Sequence, residues 1–402
     1  AAFFVVSVRL LYFALFDTAS GHASASAFIP ARADIVDRNG VPLARTIDGY
    51  SIRVVPSKLL NKREYLADEL HKIFPDMPRE ELLAKVSGAR PTYIRRRALP
   101  DQVPAVNAIG DVGFDFPREK ERLYPQLSLA AHVLGFTNAE GHGVTGVEGA
   151  FDQRLIDKAT RGQPLALSID ARVQGVLESE LGSAVANLEA IGGAGIILDV
   201  HTGEIAAMTS LPTYNPNKLM GEDPGARRNA VPFILSELGS TSKPLTVAAA
   251  IDAGTVTSMA RRYDATQPLA IAGFKIRDSH PSKRWLNVPE TLIHSSNIVT
   301  ARIADELGRD KMEAMFRSLE FDGRPHIELK ERSFPLWPKD WGRITTMTTG
   351  YGHGIAVTPL HLASAYAALL NGGIWRPATL MKLGDKAPPQ GRRVFKAATS
   401  AR

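Results

Sequence analysis

At 402 residues the chain can hold a large domain and a smaller module, and its 44% hydrophobic and 22% charged content describes a folded protein rather than a disordered one. It contains no cysteine, which excludes disulfides and thiolate metal sites and is compatible with an oxidising compartment. The net charge of +6 is spread along the chain, with Arg95-Arg96-Arg97 the one tight basic run, read as a solvated or packing cluster. No basic patch interleaved with aromatics is present, so nucleic acid is not an expected partner, whereas anionic lipid headgroups fit the charge better.

Residues 1–16 (AAFFVVSVRLLYFALF) are apolar except for Ser7 and Arg9. The run is shorter than the roughly 20 residues of a full bilayer span and reads as the outer part of a transmembrane helix, with a cleaved signal peptide or a buried core helix as alternatives. Small residues through Ala27 then read as a linker. Asn39-Gly40 between apolar runs signals a hairpin turn, and Tyr50–Val55 alternates like a strand. Residues 63–86 look helical, broken in two by Pro75 and Pro78.

Gly141-His142-Gly143-Val144-Thr145-Gly146 matches a dinucleotide fingerprint in form, but a loop precedes it and no βαβ unit surrounds it. It is better read as a glycine-rich turn before a helix around Glu148. Asp170 is placed to cap a helix with Val173, Leu177, Leu181, Val185 and Leu188 on its apolar face. Ala194–Val200 and Glu204–Met208 around His201-Thr202-Gly203 predict an antiparallel hairpin, and Thr358-Pro359 opens a last apolar helix that stops at Asn371-Gly372-Gly373. A hairpin followed mostly by helices indicates an α+β domain.

The chemistry concentrates at Gly239-Ser240-Thr241-Ser242-Lys243-Pro244. Gly239 frees a turn, Pro244 is tolerated in the first turn of a helix, and Gly254 ends that helix. Ser240 and Lys243, three apart, share a helix face. A serine hydroxyl needs a neighbour to take its proton, and a lysine whose charged form burial disfavours can do so. Ser-x-x-Lys alone is weak, because common residues meet that spacing by chance. His294-Ser295-Ser296-Asn297, ahead of a helix closed by Gly308, supplies a second serine motif, Ser295-x-Asn297, which also reads as a helix cap. Asp278-Ser279-His280 is set aside as a catalytic triad, since such close neighbours rarely converge on one oxygen. No spaced His/Glu motif supports metal catalysis.

With both serine motifs in hand, the chain resembles a class B penicillin-binding protein, a membrane-anchored peptidoglycan D,D-transpeptidase, from Arg32 onward. The resemblance is carried by Ile35-x-Asp37-Arg38-Asn39-Gly40-x-x-Leu43-Ala44, Arg122-x-Tyr124-Pro125, His132-Val133-Leu134-Gly135 and Gly146-x-Glu148. It continues in Leu198-Asp199-x-x-Thr202-Gly203-Glu204, Pro212–Asn217 and Gly350-Tyr351-Gly352-His353-Gly354. The short spacer from Gly135 to Gly146 is more similar to the cell-division branch than to the elongation branch. Leu238 stands where the family usually has proline, and no Lys-Thr-Gly motif occurs before Arg402.

The resemblance implies an α+β fold in four parts: a partial transmembrane helix (1–16), a linker (17–27), a pedestal of dimerisation type (28–160), and a β-lactamase-like transpeptidase domain (161–402) whose Lys-Thr-Gly strand is expected to be missing. It implies that Ser240 attacks the carbonyl between two terminal D-alanines to form an acyl-enzyme, with Lys243 as general base. Ser295 would relay a proton to the leaving amine, Asn297 would hold the substrate amide and orient Lys243, and Gly352 would line the substrate site. No cofactor and no metal are implied. Stem peptides and β-lactams are the expected ligands, the inner membrane is the expected location with the bulk of the chain periplasmic, and division-complex proteins including a glycosyltransferase are the expected partners. An impaired fragment or a non-catalytic division scaffold is the alternative; a soluble serine β-lactamase would need neither anchor nor pedestal.

Overall fold

The computed structural model describes residues 31–219 and 223–402. The expected apolar segment 1–16 and the linker 17–27 lie outside them, and among the described residues no helix is long and apolar enough to cross a membrane.

The N-terminal region is built on one long strand, Pro42–Val54. It pairs antiparallel with Ile35–Val36, Thr92–Ala98, Phe114–Asp115 and Arg118–Leu123. The predicted turn at Asn39-Gly40 joins the first pair: the Asp37 carboxylate accepts the N–H groups of Asn39 and Val41 at 2.7 and 2.8 Å, and Gly40 takes the positive φ the turn requires. Helices Arg63–Ile73 and Arg79–Ser87, separated at the prolines as expected, bury Leu66, Leu70, Leu82 and Val86 against Ile52, Val54 and Ile94. In the basic run, Arg95 pairs with Asp76 and lies over Phe74, and Arg96 lies over Tyr93, so these two side chains are packing elements.

The glycine-rich turn serves a buried charge cluster. A Cβ on Gly143 would fall 1.9 Å from the Glu148 carbonyl oxygen, so only glycine lets the turn close on the helix Gly146–Ala150. Glu148, fully buried, accepts Arg32 Nε at 2.9 Å and Arg122 Nε at 2.6 Å. Arg32 also reaches the Asp152 carboxylate and the Gly141 carbonyl. The turn therefore holds side chains of this protein.

The second region opens with helix Ala171–Asn187, capped by the Asp170 carboxylate accepting the Arg172 N–H. The helix lies on the predicted hairpin, strands Gly193–Leu198 and Ile205–Leu211. Gly193 and Gly195 let Leu177, Leu181 and Val185 approach the strand. Leu188 departs from the expected face: the helix is already ending there, and the side chain is exposed. Beyond the hairpin the chain is mainly helical. Helix Lys243–Asp252 is almost wholly buried among helices Asn297–Leu307, Arg309–Ser318 and Pro359–Leu370, sharing a core with Val299, Ile303, Phe316 and Ala365. Three consecutive alanines, Ala248–Ala250, keep that helix thin enough to be surrounded. A second core joins the two regions, with Ile35, Leu43 and Val147 packed in one cluster with Ile205, Met208 and Leu360. A shared apolar core of this kind holds two regions as one body far better than a polar contact does.

Candidate active site

Ser240 sits in a single 3₁₀ turn, Gly239–Ser242, that runs directly into helix Lys243–Asp252. The turn is held from behind. Gly239 donates its N–H to the Gly352 carbonyl at 3.0 Å, and Ser242 Oγ and Thr246 Oγ1 both donate to the Gly350 carbonyl, at 3.0 and 2.8 Å. The Gly239–Gly352 approach is closer than any side chain allows: a Cβ on Gly352, whose φ is +90°, would lie 2.0 Å from the Gly239 oxygen. Tyr366 adds a hydrogen bond from its hydroxyl to the Thr241 carbonyl at 2.8 Å. The loop beyond Gly352 is tied by Glu237, whose carboxylate accepts the Gly354 N–H at 2.8 Å and meets His353 Nδ1 at 2.8 Å. Strand Ser236–Glu237 pairs with Ala356–Val357, so this loop and the serine turn share one small sheet.

The second motif reaches the same point from another helix. Ser296 is the N-cap of Asn297–Leu307, its Oγ accepting the Val299 N–H at 3.1 Å. Ser295, just outside the helix, has φ +50°, a left-handed conformation uncommon for a serine. That backbone turns both its carbonyl and its hydroxyl toward Lys243. Lys243 Nζ donates to Ser295 O at 2.6 Å, Ser295 Oγ at 2.8 Å and Ser240 Oγ at 3.0 Å. Ser295 Oγ in turn donates to Ser240 Oγ at 2.8 Å. Ser240 is exposed, while Lys243 is 1% exposed.

All three ammonium donors are thus used, but every acceptor is neutral. Burial pulls the Lys243 pKa down to about 8, and the charge of Asp278 opposes that fall. About a tenth of such lysines are neutral at pH 7, so the group can both accept a proton from Ser240 and return one. The triangle of Ser240, Lys243 and Ser295 is an activated hydroxyl with a base and a second proton carrier in direct contact.

The model of the penicillin-binding protein transpeptidase domain matches residues 193–402, and that of the penicillin-binding protein dimerisation domain matches residues 28–162. The chain belongs to the penicillin-binding protein transpeptidase family. It is 38% identical over 399 residues to the probable peptidoglycan D,D-transpeptidase FtsI of Caulobacter vibrioides, covering 98% of this chain and 67% of that one. It is 32% identical over 407 residues to the probable peptidoglycan D,D-transpeptidase PenA of Neisseria gonorrhoeae (92% and 68% covered). With peptidoglycan D,D-transpeptidase FtsI of Escherichia coli it shares 30% identity over 395 residues (91% and 66%). The chain thus spans about two thirds of the length of these relatives. Its fold matches penicillin-binding protein 2X from Streptococcus thermophilus with a TM-score of 0.73 at 20% identity, over 93% of this chain and 64% of that one. The architecture is that family's mixed α/β transpeptidase fold with a dimerisation domain.

Within this penicillin-binding protein, Ser240, Lys243 and Ser295 meet in mutual hydrogen bonds, with Asn297 and Gly352 on the segments beside them. Asn297 makes no hydrogen bond to Lys243: as the first residue of its helix it directs its amide Nδ2 to the Arg277 carbonyl at 3.0 Å. Orientation of Lys243 comes from Ser295 instead. Gly352, expected in the substrate site, supports the serine turn through its backbone. Sequence reading missed Glu237, Asp278 and His353 as members of the site's frame. Glu237 and His353 are 116 residues apart, and the one chemical reading given to Asp278 was a triad with its sequence neighbours. Among the described residues no cluster of three or more His, Asp or Glu side chains is arranged to hold a metal.

Proposed function

We propose that this penicillin-binding protein cross-links peptidoglycan stem peptides through an acyl-enzyme on Ser240, and that β-lactams trap it in that form. The observation that carries the reading is the contact of an exposed serine hydroxyl with a buried lysine whose pKa lies near 8. Lys243 takes the Ser240 proton as Oγ attacks the carbonyl of the penultimate D-alanine. The proton then passes by way of Ser295 Oγ to the departing D-alanine amine, along the 2.8 Å bonds that link the three groups. An amine from a second stem peptide enters by the reverse route. Asn297 contributes the amide that meets the donor peptide, and Gly352 lines the substrate site while its backbone holds the serine turn in place. The names of the relatives from Caulobacter vibrioides and Escherichia coli, peptidoglycan D,D-transpeptidases, support that activity; a place in septal wall synthesis beside a glycosyltransferase and other division proteins is proposed on the short Gly135–Gly146 spacer alone. From the sequence pattern we further propose that residues 1–16 belong to a membrane anchor, 17–27 to a linker, 28–160 to a pedestal and 161–402 to the catalytic domain, the bulk lying outside the inner membrane.

The test is attachment of a labelled penicillin followed by mass spectrometry of the adduct. The reading expects the label on Ser240 and none on the Ser240→Ala chain; an adduct on Ser295 overturns the assignment of roles. Fractionation of cells checks the anchor: the native protein is expected with the membranes, and recovery in the cytosol contradicts that placement.

A further inference from the structure

The segment Arg277-Asp278 leaves strand Phe274–Ile276 and meets the start of helix Asn297–Leu307 from outside. Asp278 is 7% exposed. Its carboxylate accepts Ser296 Oγ at 2.8 Å and the Ile298 N–H at 3.0 Å, while the adjacent Arg277 carbonyl accepts the Asn297 amide. Three hydrogen bonds therefore grip residues 296, 297 and 298, immediately after Ser295. A serine with φ near +50° persists only when its surroundings hold it there. Because Ser295 supplies two of the three acceptors of Lys243, whatever fixes the Ser295 turn fixes the lysine.

We propose that Asp278 is a positioning residue for acylation: it clamps the Ser295 turn onto Lys243 and is the carboxylate that balances the lysine's charge without touching it. The inference rests on the reading of Ser240 as nucleophile and Lys243 as base. Most other charged groups on the elements packed around Lys243 are engaged elsewhere. Glu290 accepts Arg284 and the Asn287 N–H, and His294 meets Arg284. Arg302 donates to the Asp264 carbonyl, Asp305 pairs with Arg343, and Glu306 pairs with Arg261. Arg309 pairs with Asp310, and Glu313 and Arg317 pair with each other. His361 lies between Thr358 and the Gly323 carbonyl, and Lys396 donates to the Asp252 carbonyl.

The experiment is an NMR titration of the full chain carrying lysine labelled with carbon-13 at Cε, with the Lys243 signal assigned by its loss in Lys243→Met, alongside penicillin acylation rates over the same pH range. Removing a nearby negative charge makes the protonated amine harder to keep. Asp278→Asn is therefore expected to move the Lys243 midpoint, and the acid limb of acylation, to lower pH by at least about half a unit. Ser296→Ala leaves the Asp278 charge but cuts one arm of the clamp. It is expected to lower the acylation rate about tenfold or more with no downward move of the Lys243 midpoint. A midpoint unmoved or raised in Asp278→Asn overturns the charge-balancing role. An acylation rate unchanged in Ser296→Ala overturns the clamp, whether or not Asp278→Asn folds. A wild-type chain that takes no penicillin overturns the functional reading instead, and the titration still decides whether Asp278 acts on Lys243.

Discussion

Two regions of this molecule bury cationic side chains, and they do so in opposite ways. In the dimerisation region Arg32 and Arg122 share the buried Glu148, with Asp152 on the far side of Arg32, so each guanidinium faces a carboxylate. In the transpeptidase region Lys243 is as deeply buried but faces two hydroxyls and a carbonyl, with the balancing carboxylate of Asp278 out of contact. The first arrangement fixes the junction of the Ala33 segment with the Arg118–Leu123 strand and the Gly146–Ala150 helix. The second leaves a proton that can be moved. The difference shows that burial alone does not make a charge reactive; burial without a contacting counter-charge does.

The largest effect expected from breaking the comparison is on the reactive side. Ser240→Ala abolishes penicillin acylation, and Lys243→Met lowers it by about 10²–10⁴-fold, the usual worth of a general base, as measured by single-turnover labelling. Lys243→Met should at the same time raise the midpoint of urea unfolding at pH 7, because it removes a buried charge. The sign follows from linkage: between about 8 and the ordinary lysine value the unfolded chain binds a proton the folded one does not, so wild-type stability rises with pH across that window and the advantage of the methionine shrinks.

On the structural side, Glu148→Gln leaves two buried guanidinium groups facing a neutral amide. The cost is about 3–5 kcal/mol in denaturant unfolding, opposite in sign to the lysine substitution. A smaller loss, about 1–3 kcal/mol, is expected for Gly352→Ala, whose Cβ meets the Gly239 backbone at a positive φ. Its acylation rate should fall as well, since the displaced backbone carries Ser240. The smallest change is Thr358→Ala at the capping box of the Pro359–Leu370 helix, about 1 kcal/mol with acylation unaltered per folded molecule.

What could be read from the sequence was local. The Asn39-Gly40 turn, the break at Pro75 and Pro78, the Asp170 and Thr358 caps and the Ser240–Lys243 spacing each depend on residues within a few positions, and each has its expected conformation here. Leu188 fits the helical period but falls where the helix has ended, because period carries no information on length. The frame of the site depends on tertiary contacts. Asp278 meets Ser296 across 18 residues and Glu148 meets Arg32 across 116, and no spacing rule announces either. Asn297 shows the same limit. Its place in a motif marked it as belonging to the site, whereas the atom it contacts depends on which residue takes the N-cap.

The claim that organises this account is that Lys243 acts as a neutral base made available by burial. The pH dependence of penicillin acylation by the wild-type chain tests it most directly. The rate is expected to rise with pH to a plateau with a midpoint near 8, the value burial imposes on Lys243. A midpoint near the ordinary lysine value, or a rate that does not change from pH 6 to about 10, would contradict it.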